Sequence, residues 1–105
     1  MPFGKYAAET RDGVLTLELV NEDDCIFQFE GGEAVKGSYY IKNNRIYIWG
    51  GTIYPIATNS HIRWEFLHNN NYGIIKNGSF RVRATRIFYD EWVVFDITFN
   101  SVAGI

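Results

Sequence analysis

Residues 36–51, KGSYYIKNNRIYIWGG, carry the strongest fold signal in this 105-residue chain. Asn43 and Asn44 separate two runs rich in aromatic and β-branched residues. A two-residue hairpin loop of the favoured type needs positive φ at both positions, which asparagine tolerates better than other residues with a side chain. With that loop, Lys42 faces Arg45, Ile41 faces Ile46, Tyr40 faces Tyr47, Tyr39 faces Ile48 and Ser38 faces Trp49. Successive side chains of a strand point to opposite faces. Tyr39, Ile41, Ile46 and Ile48 therefore make one apolar face, which belongs in a core. Ser38, Tyr40, Lys42, Arg45, Tyr47 and Trp49 make the other face, aromatic in the middle and cationic near the tip. A core claims the first face. The second asks for another explanation.

Working outward, period-two alternation continues and helical spacing is missing. Leu15, Leu17 and Leu19 share a face, and so do Cys25, Phe27 and Phe29. The acidic run at 21–24 and Gly31-Gly32 read as turns. Pro55 lacks a ladder donor, so the segment TIYPI is an edge strand or a crossing. In HIRWEFLH, Ile62, Trp64 and Phe66 point inward while His61, Arg63 and Glu65 point outward. Asn77-Gly78 predicts a hairpin with Ile75 opposite Phe80, Ile74 opposite Arg81 and Tyr72 opposite Arg83. A last hairpin turns at Asp90-Glu91, setting Tyr89 against Trp92, with Phe95, Ile97 and Phe99 on one face. The tail, residues 101–105, is weakly patterned and expected to fray. Three hairpin units look alike, but only in the grammar that hairpins share.

Eight to ten short strands joined by tight polar turns predict an all-β, antiparallel meander forming a single domain over residues 1–105. Closure into a small barrel is the expected end state, because an open sheet would expose two long edges. A β-sandwich is the alternative. A chain this size buries roughly 65% of its unfolded surface, enough for one core without staples.

Composition excludes several classes of function. Aromatic residues make up 17% of the chain, and the formal net charge is −2. The basic footprint of a nucleic-acid binder is missing, and no apolar run reaches the ~20 residues that span a bilayer. The start, MPFGKYAAET, has no apolar signal segment. The expected location is a soluble one, in the cytoplasm or in a bacterial envelope after removal of a signal. With Cys25 as the single cysteine, no internal disulfide forms.

The layout resembles the small lipocalin-like barrels of bacterial envelope proteins, and the N-terminal barrel of copper-resistance-type lipoproteins. The features that carry the resemblance lie in the first half of the chain. They are Gly4-Lys5-Tyr6, Asp12-Gly13 before the alternating leucine strand, the acidic turn into an aromatic strand, and Gly37-Ser38-Tyr39 followed by RIYIW. The copper-resistance type carries a Cys-X-X-Cys pair, and this chain has no second cysteine. No thiol-metal or redox role carries over. The resemblance implies a lipocalin-like barrel with a non-catalytic binding role.

No residue pattern points to catalysis, a metal or a cofactor. His61 and His68 fall on opposite faces of a straight strand, unlike ligands at i and i+2. Cys25 reads as a buried thiol, and no Ser, His or Asp arrangement supports a nucleophile. Asp23-Asp24 and Asp90-Glu91 sit in turns, where acids are favoured for backbone reasons. Arg81 and Arg83 project from one strand face, with Arg86 a further candidate. They read either as a solvated surface or as a grip for an anion. Tyr40, Tyr47 and Trp49 are either covered by Trp64 or Trp92, or exposed as a contact patch.

The expectation is a non-enzymatic binding module for a small apolar or aromatic ligand at the barrel mouth. The alternative is a homo-oligomerising or protein-contact subunit that uses the outer aromatic face. The candidate ligand or partner surface consists of Tyr40, Tyr47, Trp49, Arg81 and Arg83.

Overall fold

A computed structural model describes residues 4–56, 61–66 and 71–102. Described elements are all strands: β1 (Gly4–Thr10), β2 (Gly13–Leu19), β3 (Asp24–Phe29), β4 (Val35–Lys42), β5 (Arg45–Gly50), β6 (Thr52–Ile53), β7 (Ile62–Glu65), β8 (Tyr72–Ile74), β9 (Ser79–Phe88) and β10 (Glu91–Ser101). They form one antiparallel sheet in the order β6-β7-β9-β10-β1-β2-β3-β4-β5-β8. From β1 to β5 the path is a simple meander. The sheet is continuous and strongly curled into a barrel-like shape, so the fold is not a two-sheet sandwich.

The β4–β5 hairpin has the register that its asparagines dictate. Asn43 and Asn44 take φ of 54° and 66°. Lys42 pairs with Arg45, Tyr40 with Tyr47 and Ser38 with Trp49, and the ladder extends to Gly37 with Gly50. That glycine pair makes room for an aromatic ring. A Cβ on Gly37 would lie 2.5 Å from the Phe27 ring, which stacks on Phe66 at 4.8 Å. The acidic turn is held by Asn21, whose Oδ1 accepts the backbone N–H groups of Asp23 and Asp24. From the core, the Tyr39 hydroxyl donates to the Asn21 carbonyl.

Three local expectations differ from the structure. Asn77 and Gly78 do form a loop, with φ of 54° and 73°, but one bridge, Lys76 to Ser79, is all that follows. Instead of continuing along β9, β8 leaves to pair with β5, setting Arg45 against Ile74, Ile46 against Gly73 and Tyr47 against Tyr72. The expected partners Ile75–Phe80, Ile74–Arg81 and Tyr72–Arg83 are therefore not in register. What the strand gains is closure of the sheet at Gly73, where a Cβ would meet the Arg81 carbonyl oxygen at 2.6 Å.

The last hairpin turns at Tyr89 and Asp90, pairing Phe88 with Glu91 and Ile87 with Trp92. Tyr89 adopts φ of 56°, uncommon for so bulky a residue. It is held there by its ring, stacked 4.5 Å from that of His61, and by its N–H bonded to the His61 carbonyl. The partner of Trp92 moves by two positions, so the faces keep their assignment. The first two residues of the expected tail are tied to the sheet: the Ser101 N–H donates to the Gly78 carbonyl and the Val102 N–H to the Lys5 carbonyl. Residues 103–105 lie outside the described ones.

The interior is filled by side chains. Leu15, Leu17, Phe27, Phe29, Ile46 and Phe99 are among those with essentially no exposed surface. Rings from opposite sides of the curl meet, as in Phe29 with Trp64 at 5.9 Å and Phe27 with Phe66 at 4.8 Å. Aromatic contacts of this kind add to the burial that holds a small core together.

Candidate functional site

The outward side of the β4–β5 hairpin joins the aromatic residues into one row. Tyr40 and Tyr47 are cross-strand partners, and their rings stack at 4.5 Å, 11° apart. Trp49 meets the Tyr40 ring edge-on at 5.8 Å. Because β8 pairs with β5, Tyr72 joins the row at 5.3 Å from Tyr47. The guanidinium of Arg45 lies over the Tyr72 ring, 4.7 Å from its centre. Tyr40 and Tyr72 keep 41% and 38% of their surface exposed, while Tyr47 and Trp49 are half-buried between neighbours. Neither of the expected covers serves. Trp64 is buried in the core, and Trp92 stands on the β9–β10 hairpin.

Tyr72 also forms a wall of an open groove of about 730 Å³ on the outside of the sheet. Across from it, Arg81 and Arg83 project from β9, with Val94 and Asp96 from β10. Arg83 sits 3.9 Å from Asp96 in a solvated pair. Among the described residues the Arg81 guanidinium has no hydrogen-bond or ion-pair partner. The end of the groove is braced by Asn71, whose side-chain amide donates to the Arg83 carbonyl at 2.6 Å while its Oδ1 accepts the Arg83 N–H at 3.0 Å. Tyr40, Tyr47 and Trp49 on one hand, and Arg81 and Arg83 on the other, thus share one outer surface, with Tyr72 as the link. The groove is a product of the β8 pairing and was not visible in the residue spacing.

Arg86 belongs elsewhere. Its position alternates with those of Arg81 and Arg83, so it points to the inner side, where it grips Asp12 from the β1–β2 loop. Nε to Oδ2 is 2.6 Å and Nη2 to Oδ1 is 3.0 Å. The Trp64 indole N–H donates to the same carboxylate at 2.7 Å. Both charged side chains are nearly buried, 13% and 11% exposed. Burial alone would raise the Asp12 carboxyl, but the hydrogen bonds from Arg86 and Trp64 and the charge of Arg86 outweigh it and hold the group below its usual value. The hydrogen bond to Asp12 correspondingly holds Arg86 in its charged form.

The remaining polar candidates are placed as follows. Cys25 is fully buried, and burial, helped by the Asp24 charge, pushes its thiol up to about 12. Such a thiol is a poor nucleophile. His61 stacks on Tyr89, and His68 lies outside the described residues. Among the described residues no three His, Cys, Asp or Glu side chains gather as a metal set would. No described helix is long and apolar enough to cross a membrane.

In comparisons with known proteins, no family model matches the chain, and no curated protein or solved structure matches it.

Proposed function

We propose that this chain is a non-enzymatic binding module whose working surface lies outside the curled sheet. The observation that supports this is the continuity of the aromatic row with the arginine-lined groove through Tyr72. A stacked tyrosine row presents a flat apolar platform, and Arg81 and Arg83 beside it suit a carboxylate. The ligand chemistry that fits both is a planar aromatic group carrying an anionic end. The groove is within the size range of small-molecule sites, roughly 300–1,000 Å³. The packed interior favours this location over a site at the barrel mouth. The likeness to lipocalin-like barrels belongs to the same proposal, with the ligand on the outer surface rather than inside.

The same chemistry can be presented by a protein segment, as a Phe or Tyr beside Asp or Glu. The length of the row, which spans β4, β5 and β8, favours that source, since Tyr, Trp and Arg dominate interface hot spots. Titration of isotope-labelled protein with phenylacetate, and separately with an acidic peptide containing phenylalanine, tests both. Expected are NMR shifts centred on Tyr47, Tyr72, Arg81 and Arg83, at least tenfold weaker binding in Arg81→Gln/Arg83→Gln, and weaker binding of benzyl alcohol and of acetate. Tighter binding of the peptide than of phenylacetate assigns the ligand to a protein. Shifts confined to interior residues, or no response to either probe, would refute the proposal.

A further inference from the structure

The β9–β10 hairpin is the longest in the sheet, 10 and 11 residues against 8 or fewer in every other strand. Its β10 edge is only briefly covered. The ladder from β1 to β10 consists of Tyr6 with Ser101 and Ala7 with Asn100. Extended in that register, the last residue of β1, Thr10, would stand opposite Ile97. Residues 90–96 therefore run past the end of β1 with a paired strand on the β9 side alone, among the described residues. Arg11 of the β1–β2 loop lines a shallow pocket with Asp90, Glu91, Trp92 and Val93. The direction of the free groups follows from the strand end. The Val102 N–H points to β1 and the Ser101 N–H to the β9 side, and the β9–β10 register is unbroken from Glu91 to Asn100. Backbone groups alternate between the two edges of a strand. The N–H and C=O groups of Trp92, Val94 and Asp96 thus face outward, with no strand partner among the described residues.

Large apolar side chains are exposed around this edge, Trp92 68%, Tyr89 56%, Val93 54%, Val94 48% and Phe88 41%, with Arg11, Asp90 and Glu91 beside them. Between Glu91 and Asp96 no proline, lysine or bulge guards the edge. We propose that this edge pairs with the same edge of a second copy of the chain, extending the sheet across a two-fold axis. The free segment selects its own register. Its midpoint is Val93, which faces Val93 of the second copy, and on either side Trp92 faces Val94. That match sets an aromatic against a β-branched residue twice, a favourable cross-strand pair. The exposed apolar surface is on the order of 500 Å² per copy, about 1,000 Å² for the pair, at the lower limit for a specific interface. The pair is consequently weak and reversible. At its two ends Asp90 faces Asp96 of the other copy, with Arg83 beside Asp96 and Arg11 near Asp90 to offset the repulsion.

Sedimentation equilibrium over a concentration series, with hydrogen exchange read by NMR, tests this. Expected is a monomer–dimer equilibrium, with exchange at the Trp92, Val94 and Asp96 amides slowing as concentration rises. Val94→Pro removes one outward N–H without touching the β9 ladder, and Trp92→Lys places a charge on the edge. Each weakens the dimer at least tenfold, whereas Tyr47→Ser, in the aromatic row, leaves it within twofold. A monomer at all concentrations, an open-ended series of oligomers, or a dimer lost in Tyr47→Ser and kept in Trp92→Lys would overturn the proposal. The last outcome would move self-association to the aromatic face.

Discussion

Asp12 occupies a two-residue loop whose local sequence asks for nothing more than a turn-forming residue, yet its carboxylate holds Arg86 and Trp64 at once. No spacing in the chain could reveal this, since Arg86 is 74 positions away and Trp64 is 52. What was legible is parity: Arg86 alternates with Arg81 and Arg83, so it had to face the other way. The contact couples the β1–β2 loop to β7 and β9 through a nearly buried ion pair. Removing one partner leaves the other charge stranded, which costs about 3 kcal/mol. Urea unfolding of Asp12→Ala should show a loss of that size. Asp12→Ala/Arg86→Met should recover the part owed to the stranded charge, leaving the cost of the Trp64 indole N–H without its acceptor. The carboxyl titrates lower in the folded chain than in the unfolded one. Its stabilisation is therefore complete above the unfolded value, near ~3.9, and disappears as pH falls through the folded value. Acid unfolding should accordingly show the wild type losing more stability than Asp12→Asn as pH drops below about 4.

At the scale of strands, the hairpin at 43–44 could be read to the exact pairing because two asparagines and strict alternation agreed. The β8 strand could not. Asn77-Gly78 correctly announces a loop, but loop chemistry says nothing of how far the ladder extends beyond it. Gly73 decides that question by letting the backbone of β8 approach Arg81, and Tyr72 decides the partner by joining the aromatic row. Tyr89 misled for another reason: positive φ at a tyrosine is sustained by long-range contact with His61. Since β8 and β9 share no extended ladder, Asn71 supplies their bracing. Asn71→Ala removes two hydrogen bonds, worth about 1–3 kcal/mol together. Faster hydrogen exchange at the Arg83 amide, with exchange in β2 and β3 unchanged, is the expected signature. An unaltered Arg83 amide would show that the sheet closes without this brace.

For the whole molecule, the candidate site was legible in parts and illegible as a unit. Tyr40, Tyr47 and Trp49 could be placed on an outer face from the hairpin alone, and Arg81 and Arg83 on one face of their strand. That the two groups adjoin depends on the curl of the sheet, which brings β8 beside β9 through Tyr72, Gly73 and Asn71. The same curl presses the inner residues into a close-packed core, and the proposal of an outside working surface rests on that packing. Xenon enters apolar cavities and stays out of interiors packed to normal density. The decisive measurement is therefore an NMR spectrum of the Leu15, Leu17, Ile46 and Ile48 methyl groups under xenon pressure. Core methyl positions that stay fixed, as shifts accumulate only at surface residues, are the predicted result. A saturable shift of those inner methyl groups would reveal a hollow able to hold a ligand and contradict the account.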